Sequence, residues 1–308
     1  LILATAASLA LTGVAVAHPG HGEAPGAPGE APTWVNAAKT GAGAAYEAYV
    51  DGRYGPGGPT GEVSRVWFSI ADGVLTETMY GLIHEAQIKQ LRFAIQTPTG
   101  LAVEGTDTTS RTEYLHTDPA GRALSPAYRI TTTDTQGRFE IDKRIFTDPD
   151  RNALILRVTI RAIGGPITPY LLLEPHVANT GVADRGSAAA DALHAWEGQT
   201  HLVLRPDRRF TAATVGYMGT SDALTDLQAD GRLSAVYRST GEQSGNLMLA
   251  GALPLVADDD TLARDFVIGF GDSRMAAEAA ADGAFSTGLN EVLARYNGEG
   301  DRIGWQDY

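Results

Sequence analysis

The chain of 308 residues contains no cysteine. That excludes disulfides, thiolate metal centres and cysteine nucleophiles at once. Positive charge is scarce as well: 24 Lys and Arg stand against 37 Asp and Glu, for a formal net charge of -13. Nucleic acid and anionic membrane surfaces both call for a basic footprint, so neither is an expected partner. No glycine-rich phosphate loop stands between a strand and a helix. No GxSxG elbow of a serine hydrolase occurs either. Long apolar runs are missing beyond the first residues. Stretches such as "ALILRVTIRAI" (153–163) are short and broken by charge.

The exception is the front. Leu1 to Ala17 carries no charge and closes on Ala15-Val16-Ala17, the small-x-small pattern that signal peptidase reads. The run is shorter than the about 20 apolar residues that span a bilayer. It reads as a signal-peptide core, with export and cleavage between Ala17 and His18 as the expectation. His18 to Thr33 then reads as a flexible leader, because its prolines and glycines suit neither a helix nor a central strand. His18 and His21 would lie in that leader, where metal capture would be incidental. From Trp34 to Gly61 the pattern is weak, and "AAKTGAGAAYEAYV" has the composition of a short helix.

From Val63 onward the chain turns to β-formers. "VSRVWFSI", "GVLTETMYG" and "IKQLRFAIQT" come first. Three strands joined by turns at 134–137 and 148–152 follow. Phe139, Ile141, Lys143 and Ile145 share one side, while Glu140, Asp142 and Arg144 share the other, the period-two mark of a half-buried antiparallel strand. "TPYLLLEPHVAN", "HLVLRP", "FTAATVGYM", "LSAVYRS", "NLMLAGALPL" and "ARDFVIGF" complete about a dozen strands, punctuated by Gly, Pro, Asp and Asn. That spacing predicts an all-β sandwich or barrel over residues 34–272. Residues 273–308 read as helical, with Ser273 capping a first helix and Ser286 or Thr287 a second. Leu289, Val292, Leu293 and Tyr296 give the second helix an apolar face that needs a partner.

Chemistry-bearing residues are few. Glu174 and His176 lie two apart on a predicted strand, the spacing at which an acid/base pair shares one face. Pro175 between them marks a bend or a sheet edge, and a structural role for both is the simpler reading. Trp196, in "LHAWEGQT", is the candidate for stacking on a sugar ring, whereas Trp67 reads as core. Asp258 to Asp260, and Asp148 with Asp150, are acidic turns of the kind that attract calcium, but they lack an EF-hand spacing. No catalytic metal and no organic cofactor is expected.

The segments "SRVWFSIADGVLTETMYG", "IKQLRFAIQT", "GRFEIDKRIFTDPDRNALILRV" and "LLLEPHVANTG", then "GW..Y" after a helix, occur in a distinctive order. Together they resemble the N-terminal domain of prokaryotic glucoamylases and glucodextranases, in glycoside hydrolase family fifteen. The likeness runs from about Thr33 to Tyr308. Gly81 departs from it, standing where a proline is expected. The resemblance implies a large antiparallel super-sandwich of two sheets, related to the galactose-mutarotase fold. It implies a helical linker leading to an (α/α)6 barrel beyond Tyr308, which would carry both catalytic glutamates. It implies exo-acting, inverting hydrolysis of an α-glucan by the intact enzyme, with Trp305 and Tyr308 at the contact between domains. Two rival readings remain: a glucan-binding module using Trp196, and a mutarotase-like enzyme using Glu174 and His176.

Overall fold

The alternation at 139–147 is the unit from which the molecule is built. Phe139, Ile141 and Ile145 enter the core, and Glu140, Asp142 and Arg144 lie on the opposite face. The computed structural model describes residues 22–34, 38–46, 49–50, 53–54 and 64–307. Two eight-stranded antiparallel sheets dominate. Sheet I runs Gly41–Ala44, Val66–Ala71, Val74–Tyr80, Ala86–Thr97, Thr168–Pro175, Leu247–Ala252 and Ala212–Tyr217, with Gly100–Val103 paired onto Ala86–Thr97. Sheet II runs Arg185–Ala189, Ala192–Glu197, Thr200–Pro206, Thr261–Gly271, Ala153–Ala162, Phe139–Thr147, Tyr128–Asp134 and Thr108–Tyr114.

The inner faces of the two sheets meet in one cluster. Phe68, Phe93 and Leu171 come from sheet I, and Ile141, Leu156 and Phe266 from sheet II. Successive side chains of a strand point to opposite faces, so each strand supplies every second residue to this layer. The all-β two-sheet expectation is met.

One inward position is not apolar. Lys143 follows Ile141 on the core side and is 2 % exposed. Its ammonium meets the Glu104 carboxylate and the Gly73 carbonyl. Burial lowers the Lys143 pKa, and the Glu104 charge opposes that shift. A buried charge of this kind persists only when paired and hydrogen-bonded. Glu104 is satisfied further by the Phe93 N–H at 3.1 Å and the Thr132 hydroxyl at 3.0 Å.

Helices cover the outer faces. Arg274–Thr287 and Leu289–Asn297 lie on sheet II, where Phe146, Ile155 and Val267 pack with Ala281, Val292 and Tyr296. The close approach depends on glycine. A Cβ on Gly269 would lie 2.0 Å from the Ala277 carbonyl oxygen, so a larger residue there would push the helix off the strand. A shorter helix, Ala223–Asp230, covers Leu172, Met248 and Ala250 of sheet I.

Several expectations change. The second helix does not lack a partner, since Leu289, Val292 and Tyr296 are buried against sheet II itself. Its N-cap is Gly288, without a side-chain cap, and the Ser286 hydroxyl instead donates to the Asp282 carbonyl. The described residues 38–46 do not form the expected helix: Gly41–Ala44 is a strand, held by pairing with Val66–Ala71. "LSAVYRS" forms no regular strand, only an isolated bridge at Ser239. It links the sheet edges instead, with Val215 N–H donating to the Tyr237 carbonyl and Ala188 N–H to the Arg238 carbonyl. The described part of the leader is not loose. Ala24 is buried, its N–H donates to the Ser239 carbonyl, and the Pro28 and Glu30 carbonyls accept from Asn246. Proline excludes regular structure but not backbone acceptors, so the segment is tied down through its carbonyls.

Candidate functional site

Glu174 sits near the end of Thr168–Pro175, on the outer face of sheet I, where the register shifts at the bulge between Glu174 and Pro175. It is 1 % exposed. One carboxylate oxygen accepts from the Gln90 amide at 2.5 Å and from the Arg92 guanidinium at 3.1 Å. The other faces the Lys89 ammonium at 3.0 Å. A carboxylate so engaged is an ion-pair hub. His176 lies just past the strand, with its ring centroid 4.4 Å from that of Trp34. Burial, and then the Lys89 charge, hold its pKa below the usual histidine value. Among the described residues no hydrogen bond joins Glu174 to His176. The strand ends at Pro175 between the two, and the chain then turns through the left-handed residues Ala178 and Asn179.

Trp196 lies directly across from His201 on the neighbouring strand of sheet II. Its ring is stacked on His194 at 4.6 Å and 19°. His194 Nε2 and His201 Nδ1 are 3.0 Å apart, within hydrogen-bond distance. One indole face is therefore taken by the protein. His194 is 4 % exposed, and burial, with Arg274 and His201 beside it, pushes its pKa down to about 3. Asp184 behaves in the opposite sense. Burial, reinforced by Glu197, pushes its carboxyl up to about 8 although the Val177 N–H donates to it.

The acidic turns serve the backbone and the helices. Asp258 accepts from the Gly165 N–H at 2.6 Å. Asp148 accepts from the Asp150 N–H and from Arg151. Asp150 in turn accepts from Arg295 at 2.8 Å, so the "FTDPDRN" turn grips the last helix. Arg157 donates to Asn290 at 2.6 Å and Tyr296 to the Pro126 carbonyl at 3.0 Å, which completes the clamp. Gly81 also finds its reason. Its φ is +86 and its N–H donates to the Arg65 carbonyl at 3.0 Å. Proline could do neither.

Trp305 turns back onto this sandwich. Its indole N–H donates to the Ala44 carbonyl at 2.9 Å, and its ring meets Tyr46 edge-on at 5.6 Å. Beside it opens a cavity of about 590 Å³ between the Gly41–Ala44 edge of sheet I and the end of Thr108–Tyr114. Trp67, Met79, Ile83, Tyr114 and Leu124 line it with Trp305. Neither this cavity nor the Lys143–Glu104 pair was anticipated from the sequence. The inward parity of Lys143 was the one visible signal. Tyr308, His18, His21 and Leu1 to Ala17 lie outside the described residues.

Geometry thus defines a two-sheet antiparallel β-sandwich in which Glu174 is held in internal ion pairs and His176 packs against Trp34. A model of the family described as "Glucodextranase, domain N" matches residues 24–308, and the chain belongs to that family. A glucoamylase from Clostridium sp. (strain G0005) is 27% identical over 289 residues, 91% of this chain and 37% of that protein. The crystal structure of a bacterial glucoamylase complexed with acarbose aligns at a TM-score of 0.78 and 27% identity, over 93% of this chain and 39% of that one. The chain spans less than two-fifths of the length of either relative.

Proposed function

We propose that this chain is the non-catalytic sandwich of an exported glycoside hydrolase that releases glucose from α-glucan ends with inversion. The observation that carries the reading is the domain N match over residues 24–308, joined to a structure in which Glu174 is held by Lys89, Gln90 and Arg92. In this reading both catalytic carboxyls, which flank the scissile bond about 6.5–9.5 Å apart in an inverting enzyme, lie outside the chain. The sandwich braces the catalytic barrel and fixes the helical connector through Arg295 and Tyr296. Export rests on the uncharged Leu1 to Ala17 and its small-x-small close.

The test is to assay the full-length polypeptide and the 308-residue chain on soluble starch and dextran, following the released anomer by polarimetry. The reading predicts β-glucose from the full-length protein and none from the chain. Glucose release by the chain alone, lost on Glu174→Gln, would overturn it.

A further inference from the structure

We infer that the cavity between Trp67, Tyr114 and Trp305 is a binding site for a short, neutral saccharide. Charge gives the first argument. The protein is strongly acidic, with a formal net charge of -13, yet among the described residues no charged side chain lines this cavity. An ion would lack a counter-charge there; a neutral ligand needs none.

Shape and chemistry give the second. A volume of about 590 Å³ lies within the range of small-molecule pockets, roughly 300–1,000 Å³. The sequence makes the room: Ala42, Gly43 and Ala44 put almost no side chain into the gap. Trp67 stands on the outer face of sheet I, cross-strand from Ala44 and Met79. Tyr114 rests one face on Tyr128, centroids 5.0 Å apart, and remains 48% exposed. Trp305 is anchored through its N–H to Ala44 and by Tyr46. Rings held in place in this way stack on the apolar face of a pyranose at little cost in conformational freedom. Ser69 and Gln306 supply neutral polar groups for sugar hydroxyls. The site differs from Trp196, whose ring is stacked on His194.

The choice of α-glucan among neutral saccharides rests on the proposed function; the cavity argument does not. The 308-residue chain is titrated with maltotriose, maltoheptaose and isomaltotriose by calorimetry and tryptophan fluorescence. Saturable binding is expected. Tyr114→Ala should weaken it about tenfold or more, a loss of about 1.4 kcal/mol. Ala44→Phe, which fills the cavity, should abolish it, and Trp196→Ala should leave it unchanged. Circular dichroism melts identify any variant that fails to fold. If no saccharide binds up to its solubility limit, or if binding survives both Tyr114→Ala and Ala44→Phe, the site is overturned. The same follows if the full-length protein, with its catalytic centre blocked by a tight inhibitor, binds none, because the cavity is then a seat for another part of the polypeptide. Glucan hydrolysis by the full-length protein without binding by the chain sinks the site and leaves the proposed function standing. Binding without hydrolysis does the reverse.

Discussion

Glu104 and Glu174 are each 1 % exposed, and each faces a lysine ammonium. They differ in where they stand. Glu104 and Lys143 lie between the sheets, with the Thr132 hydroxyl and the Phe93 N–H as further donors. Glu174 lies on the outer face of sheet I, where the Arg92 side chain beside it remains 15% exposed. The first pair has no path to water, whereas the second keeps one through a guanidinium. The lesson is that burial of the carboxylate alone does not set its energetic importance. What matters is whether its counter-ions can be solvated when it is removed.

The comparison can be broken most sharply at the first pair. Glu104→Leu leaves the Lys143 ammonium unpaired in the core and should cost about 3–5 kcal/mol of stability. Glu104→Leu with Lys143→Met removes both charges and should recover most of that loss. Urea unfolding of the two single variants and the double variant measures this. Equal losses in single and double variants would show that the pair acts by packing and not by charge.

Two further buried groups sharpen the point, because among the described residues neither forms an ion pair. His194 has a folded pKa of about 3 against 6.5. Its unfolded form binds the extra proton, so its stabilising effect is complete above pH 6.5 and is lost as pH falls toward 3. Asp184 has a folded pKa of about 8 against 3.8. Here the folded form holds the extra proton, so its contribution is complete below pH 3.8 and is lost as pH rises toward 8. Each slope is at most about 1.4 kcal/mol per pH unit. The slopes oppose each other between pH 4 and 6.5, the window where both cited pKa ranges overlap. The wild-type chain should therefore be nearly flat in that window and weaken from pH 6.5 to 8. Asp184→Asn should restore a rising profile, and His194→Phe should give a falling one. Chemical denaturation across this range reads the sign directly, and identical profiles for all three proteins would contradict it.

Much of this fold was legible in the sequence, for a physical reason. Strands with one face in the core must alternate, and Phe139 to Ile145 do so without exception if Lys143 is counted as inward. What failed were segments whose structure comes from a neighbour. Gly41–Ala44 carries no β-former and is a strand only because Val66–Ala71 offers it an edge. Thr108–Tyr114 is mostly polar because it is the edge strand of sheet II, so no apolar period marks it. The candidate site was harder. Glu174 and His176 are two apart, which suggested one shared face, but the chain leaves the strand at Pro175. Glu104 and Lys143 are 39 residues apart in sequence, and no local pattern reports such a meeting.

Glu174→Gln tests the milder half of the comparison. The amide keeps the Gln90 and Arg92 contacts in weakened form, and Arg92 can turn toward solvent. The expected loss is about 1–3 kcal/mol, below that of Glu104→Leu. Under the proposed function, glucose release per folded full-length molecule should be unchanged, since the residue braces a sheet. A drop in turnover without a drop in stability would restore Glu174 as an acid or base.

The smallest effect belongs to a pair with water on both sides. Arg161 and Glu140 are 2.9 Å apart, with side chains 45% and 42% exposed. The geometry is as good as that of the Lys89–Glu174 contact at 3.0 Å. If distance decided stability, the two would matter equally. Solvation argues otherwise: water replaces either partner at once, and salt screens the attraction. A double-mutant cycle on Glu140→Ala and Arg161→Ala should give a coupling of about 0.2–0.5 kcal/mol, vanishing near 1 M salt. The corresponding cycle on Glu104 and Lys143 should keep its coupling at that salt, because no ion reaches the pair. Equal salt sensitivity in the two cycles would mean that solvent access is not what separates them.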